Sequence, residues 1–182
     1  MRTSSIPVRE KVESSIREGI RVNVTLCFSQ QQAAEVYSAS RGSKGPIYVS
    51  PFVGRLDDQG ENGMDLVRNI KTMYRAGDGH VHVLAASIRN LEHLLYSLAL
   101  GVELATVPAK LLLQWAEKST PMPGREYVYQ AIGANGINLK AIPYEELNLD
   151  QPWEQFDINH PLTKKGIEKF VADYKSTLKS AA

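Results

Sequence analysis

Ser50-Pro-Phe-Val-Gly-Arg55 and Ala86-Ser-Ile-Arg-Asn90 each place a serine and an arginine just past a short apolar run. Guanidinium forks match phosphate oxygens bidentately, and backbone N–H groups at a helix start attract anions. Either arginine alone would read as half of a surface ion pair. At equivalent strand ends beside hydroxyls, Arg55, Ser87 and Arg89 read together as a phosphate site. Asn23 and Thr25 pose a second question, because they alternate with Val22, Val24 and Leu26. A strand buried on both faces is normally a continuous apolar run. Two buried polar side chains need partners, so they read either as a satisfied polar core or as the lining of a wet cavity. Ser29, Ser50 and Thr106 add polar groups at the same strand ends.

Other chemistry-bearing residues point elsewhere. His80 and His82 alternate along one strand, but no third ligand stands at a metal-binding spacing, and solvated histidines are expected. Cys27 reads as packing. Asp57 and Asp58 follow Arg55 and read as turn residues or as a lock on Arg55. Trp115, Trp153, Phe156 and Tyr174 read as anchors for the C-terminal segment.

The elements that must position these groups alternate along the chain. Val8, Val12 and Ile16 mark an amphipathic helix over 8–18, ended by Gly19. A strand over 20–28 leads to Ser29 as N-cap of a helix over 30–40. The turn 41–46 precedes a strand over 47–49, and the loop 55–63 precedes a helix over 64–75. A strand over 81–86 is followed by a helix over 91–100 capped by Asn90 and stopped by Gly101. The fourth strand covers 102–106 and a further helix 108–118, with Pro108 in its first turn. Such βα alternation implies parallel strands joined by right-handed crossovers. The prolines at 121, 123, 143, 152 and 161 interrupt it. Residues 1–182 therefore read as one domain: βα repeats over 1–118, an irregular wrapping segment with one short helix over 119–160, and a C-terminal helix over 161–182. That last helix carries Ile167, Phe170, Val171 and Tyr174 on one face.

With 182 residues the chain can bury a sizeable core, yet it falls short of the roughly 200 residues at the lower limit of a complete (β/α)₈ barrel. A net charge of +1 gives no reason to expect nucleic acid or an anionic membrane as partner. No apolar run reaches the roughly 18 residues of a membrane span, and the N-terminus lacks a signal-peptide core. One cysteine rules out an intrachain disulfide and fits a reducing, cytoplasmic setting.

Four ordered strings carry a resemblance: Gly19-Ile-Arg-Val-Asn-Val-Thr-Leu-Cys-Phe-Ser29, Ser50-Pro-Phe-Val-Gly-Arg-Leu-Asp-Asp58, Ala85-Ala-Ser-Ile-Arg89 and His160-Pro-Leu-Thr163. Over about residues 16–118 and 160–175 the chain resembles the transaldolase family. That resemblance implies a (β/α)₈ barrel and a class I aldolase mechanism, with a Schiff base between a lysine and a ketose phosphate and no metal or organic cofactor. It further implies dihydroxyacetone transfer between sugar phosphates in the pentose phosphate pathway. By the same resemblance Asn23 and Thr25 stand near the Schiff base, with Thr25 positioning a catalytic water. Ser50 contacts the dihydroxyacetone unit, Phe52 walls the site, and Arg55, Ser87 and Arg89 hold the phosphate. Phenylalanine at position 52, where fructose-6-phosphate aldolases commonly carry tyrosine, favours the transaldolase branch.

The expected fold is thus a partial TIM barrel, strands five to eight with their helices. The family's lysine belongs to the fourth strand, and no lysine here falls on an expected strand. A nucleophilic lysine must be desolvated to attack as the neutral amine, and those present belong to helices, turns or the tail. The expectation is a truncated chain that keeps the phosphate half of the site, binds a fructose 6-phosphate-like ligand and is inactive alone. The alternative is a non-catalytic phosphosugar-binding module, or a half-barrel that associates with another chain. A half-barrel sheet has open edges and a bare inner face. Pairing into a homo-oligomer would close it, and residues 119–182 with the N-terminal helix could cover it instead.

Overall fold

Short β-branched runs and amphipathic helices alternate in the computed structural model to form a four-stranded, wholly parallel sheet in the order β1-β2-β3-β4. The structure describes residues 8–43, 47–124 and 126–179. Helix α1 (Val8–Arg17) precedes β1 (Asn23–Cys27), followed by α2 (Gln30–Ala39) and β2 (Ile47–Pro51). Next come α3 (Val53–Asp57), α4 (Gly63–Tyr74), β3 (Val81–Ala85), α5 (Leu91–Ala99), β4 (Leu104–Ala105) and α6 (Ala109–Glu117). A 3₁₀ turn (Trp153–Gln155) and α7 (Pro161–Lys179) follow.

Capping chemistry sets the helix starts. Ser29 Oγ accepts from the backbone N–H of Gln32 at 3.1 Å, and Asn90 Oδ1 from that of His93 at 2.8 Å. Both satisfy donors that a helix cannot pair internally. Asn62 caps α4 in the same way. Two local expectations change. Residues 55–57, expected as loop, belong to the short helix α3, so Arg55 sits on a helix. The fourth strand shrinks to two residues, and His80 precedes β3 instead of lying on it.

The sheet has two unlike faces. Ile47, Val49, Val81 and Val83 point into the helix layer and are buried with Ala33, Val67 and Ile70. The opposite face carries Asn23, Tyr48 and His82 in one cross-strand row, with Thr25, Leu84 and Leu104 further along. Asn23, Thr25 and Leu104 are exposed. Those polar residues therefore face solvent here instead of a satisfied core.

The described residues of 119–160 form a strap that crosses the helix layer in the order α5, α4, α2. Tyr129 stacks on Tyr96, with ring centroids 4.8 Å apart. The Asn69 amide donates to the carbonyls of Ile142 and Pro143, both at 3.1 Å. Gln30 exchanges bonds with the backbone of Glu145, and Ser38 donates to Gln151. The strap thus leaves the open sheet face uncovered. Phe156 is buried as an anchor, but Tyr174 is 65% exposed, and Ile167, Phe170 and Val171 are exposed beside it. Tyr174 therefore does not serve as an anchor of the C-terminal segment. Among them, no helix is long and apolar enough to cross a membrane.

Candidate phosphate-binding site at the strand ends

The two Ser/Arg strings continue the sheet into each other. Ala86 N–H donates to Pro51 O, Val53 N–H to Ala86 O and Gly54 N–H to Ser87 O, each at 3.0 Å. Phe52 bridges to Ala86 on one side and donates to Cys27 O on the other. This ladder brings the ends of β1, β2 and β3 together at their carboxyl side, where parallel α/β folds gather ligands. Leu26 and Ser87 adopt φ of 59° and 60°. Left-handed backbone is strained for a side chain with a Cβ, and such strain collects at functional sites. At Leu26 it coincides with the register shift between Val24 and Cys27.

Arg89, Ser87 and Gly54 form one cluster. Arg89 Nε lies 3.4 Å from Ser87 Oγ, and its Nη2 lies 2.9 Å from Asp58 Oδ2. A Cβ built on Gly54 would meet Arg89 Cγ at 2.3 Å and Ser87 O at 2.6 Å. Glycine is what permits this approach. Arg55 departs from the same short helix toward α7, with its guanidinium 5.2 Å from the Phe52 ring and 5.7 Å from that of Phe170. It makes no hydrogen bond or ion pair among the described residues. Asp57 and Asp58 therefore do not lock Arg55. Asp58 holds Arg89, while Asp57 turns inward.

Deeper on the open face, Ser50 Oγ donates to Asn23 Oδ1 at 2.8 Å, and Ser50 is 1% exposed. Thr25 stands one pleat above Asn23, and Thr106 is exposed at the end of β4. The structure thus assembles Asn23 with Ser50, and Ser87 with Arg89. Phe52 bridges to Ala86 next to the latter pair, whereas the Arg55 guanidinium lies apart, toward Phe170 on α7.

Sequence reasoning missed His93. It is fully buried, its Nδ1 accepts from the Arg89 backbone N–H at 3.3 Å, and its Nε2 lies 2.8 Å from Asp57 Oδ2. The Asp57 contact lies off the N–H axis, so it is a close electrostatic pairing, not a linear hydrogen bond. Asp57 Oδ1 accepts from Gly63 N–H at 3.0 Å. The available signal was a histidine four residues after Arg89 and an aspartate two after Arg55, yet nothing local joins them.

The fourth string docks on the same end of the sheet. His160 stacks on Phe28 at 5.3 Å, and Thr163 Oγ1 donates to the carbonyl of the strained Leu26 at 2.9 Å. Gln32 ties the two together, donating to Ile158 O and Thr163 Oγ1 while accepting from Phe28 N–H. Burial lowers the basicity of His160, only partly offset by Glu61. Burial also pushes the Cys27 thiol up to about 12, consistent with its role as packing. A cavity of about 280 Å³ lies between Arg89, Asp58 and Gly54 on one side and the strap turn with Asn135 and Asn138 on the other.

His80 is held by Asp78 and by Ser40 Oγ at 3.0 Å, and His82 lies 5.8 Å from the Tyr48 ring, so the two serve separate contacts. Among the described residues no three His, Cys, Asp or Glu side chains converge on a metal position. The described lysines belong to helices, helix ends or the strap. Lys71 pairs with Glu103, and the backbone of Lys140 makes an isolated parallel β-bridge with that of Glu61.

Comparison with known proteins shows the family. The model of the family "Transaldolase/Fructose-6-phosphate aldolase" matches residues 6–181. A protein named "Probable transaldolase" from Myxococcus xanthus is 36% identical over 165 residues, covering 90% of this chain and 53% of its own length. Proteins of the same name from Phenylobacterium zucineum and Roseiflexus castenholzii are 34% and 36% identical over 160 residues, each covering 88% of this chain and 52% of its own length. The chain spans about half the length of the curated relatives it matches.

Proposed function

Because the chain belongs to the transaldolase/fructose-6-phosphate aldolase family, we propose that it binds a sugar phosphate at the carboxyl ends of β1, β2 and β3. There it serves transaldolase-type chemistry, the transfer of a dihydroxyacetone unit between sugar phosphates in carbohydrate metabolism. The single observation that carries this reading is the half-buried Arg55 guanidinium. Among the described residues it makes no ion pair, and it lies between the rings of Phe52 and Phe170 on the short helix whose Gly54 packs against Arg89 and Ser87. An unpaired, partly desolvated guanidinium is costly without an anion, and a phosphate supplies one with matching geometry.

In this reading Arg55, Ser87 and Arg89 hold the phosphate, and the anion takes the place of Asp58 beside Arg89. Phe52 walls the site and favours the transaldolase branch. Ser50 and Asn23, already hydrogen-bonded, face the dihydroxyacetone end of the substrate, and Thr25 orients a water. The Schiff-base amine belongs to none of these residues. A lysine nucleophile must lie desolvated beside the substrate carbonyl to lose its proton. The lysines placed on helices and on the strap do not meet that requirement. The chain is therefore assigned the phosphate-holding half of the reaction site, without Schiff-base formation of its own.

Two measurements test the reading. Inorganic phosphate is expected to raise the melting temperature of the wild-type chain, and Arg55→Ala and Arg89→Ala each to abolish most of that rise. A rise that survives both substitutions places the anion elsewhere. Borohydride treatment with fructose 6-phosphate is expected to leave the chain unmodified. A trapped adduct on any lysine would refute the assignment of roles.

A further inference from the structure

His93 stands outside every string that suggested the phosphate site, yet it connects the two halves of that site. Its ring is fully buried at the start of α5. Nδ1 faces the main-chain N–H of Arg89, and Nε2 faces the carboxylate of Asp57 on α3, the helix that also bears Arg55. Asn90 caps the His93 backbone N–H, and Ser97 Oγ donates to its carbonyl at 2.7 Å, so the residue is held along its whole length. On the far side, Asp57 ties to the first N–H of α4 through Gly63. Accepting from Arg89 requires that Nδ1 be unprotonated, which leaves the proton on Nε2, close to the Asp57 carboxylate but off the line to it.

We propose that His93, in its neutral Nε2–H form, is a positioning residue for the phosphate site. Together with Asp57 it fixes the backbone of Arg89 relative to the helix carrying Arg55. The ring touches no ligand position and acts through the two elements it joins. This rests on the phosphate-binding reading above. Its chemical logic is that Ser87 is already in left-handed backbone and Arg89 reaches half into solvent. Without a fixed main chain, the guanidinium would sweep through many positions, and each would weaken a bidentate contact.

The experiment uses His93→Asn, His93→Gln and His93→Ala in the full chain. Asparagine keeps an acceptor near the Nδ1 position, glutamine keeps an amide near the Nε2 position, and alanine keeps neither. Two readouts are taken: inorganic phosphate affinity by calorimetry, and hydrogen-exchange protection of the Arg89 amide by NMR. In His93→Asn both are expected to stay within about threefold of wild type. In His93→Gln and His93→Ala phosphate affinity is expected to fall about tenfold, the loss typical of one interaction of this size, with Arg89 amide protection falling in parallel. Nitrogen shifts of the wild-type ring are expected to report the Nε2–H tautomer. If all three variants keep wild-type phosphate affinity, or lose it equally, or if the ring is the Nδ1–H tautomer, the positioning role is overturned. Because amide protection and tautomer are read without phosphate, they judge His93 separately. Phosphate binding that ignores Arg89→Ala would count against the phosphate reading instead.

Discussion

Arg89 and Arg55 differ in what holds them at rest, and that difference makes a prediction. Arg89 pairs with Asp58, both side chains about half exposed, a contact worth at most about 1 kcal/mol. Removing the carboxylate takes away a competitor for the guanidinium. Asp58→Ala is therefore expected to raise phosphate affinity two- to fivefold at low salt, with the gain disappearing at high salt, as read by calorimetry at two ionic strengths. Glu35 makes a second prediction. It is 5% exposed, forms no hydrogen bond or ion pair among the described residues, and borders the apolar space between β1, α2 and α7. Burial raises its pKa from 4.5 to about 7. A raised carboxyl binds its proton more tightly in the folded state, so this contribution to stability is full below pH 4.5 and lost as pH rises to about 7. The loss amounts to about 3 kcal/mol at most. Glu35→Gln is expected to remove this fall in stability across the window, as denaturant unfolding at several pH values would show. A fall of unchanged size in the variant would assign it to other groups.

Gly54 and Gln32 govern how the elements meet. A side chain at position 54 would strike the Ser87 carbonyl as well as the Arg89 side chain, and the carbonyl belongs to a backbone already strained. Gly54→Ala is expected to cost about 1–3 kcal/mol in denaturant unfolding and to weaken phosphate binding, because α3 and the Ser87–Arg89 segment must separate. Gln32 spans the end of β1, the strap and α7 with three hydrogen bonds. Gln32→Ala strands a buried donor and acceptor and is expected to destabilise by about 2 kcal/mol, with proteolysis of the C-terminal helix accelerated. What was legible in the residues follows from the range of the forces. Ser29 and Asn90 could be read as caps because a cap answers to donors two or three residues away. The strings around Arg55 and Arg89 could be read because strand ends are where such groups do chemistry. Helix α3 could not, since five residues hold a helix only when the ladder to Ala86 and Ser87 and the packing on α4 support it. The His93–Asp57 pairing could not either, because it joins α5 to α3 across more than thirty residues. Asp58 was legible as a lock, but its partner was set by where α3 points its side chains.

At the scale of the whole molecule, the sheet is finished on one face only. The helix face is packed and strapped, while the opposite face shows Asn23, Thr25 and Leu104 to solvent, and α7 exposes Ile167, Phe170, Val171 and Tyr174. An exposed apolar stripe of this kind beside a free strand edge favours association. The chain is expected to sediment as a dimer or larger species at tens of micromolar, and Phe170→Glu with Ile167→Lys to shift it toward monomer. A strict monomer at that concentration would mean the bare surfaces stay solvated. The alternation of strands and helices made this parallel architecture legible. The path of residues 119–160 was not, because its hydrogen bonds go to helices distant in the chain. Phosphate recognition by Arg55, Ser87 and Arg89 is tested by titration of the wild-type chain with fructose 6-phosphate and with fructose. Fructose 6-phosphate is expected to bind, fructose to show no measurable heat, and the Arg55→Ala/Arg89→Ala double variant to bind neither. Equal binding of the two sugars, or wild-type affinity in the double variant, would contradict it.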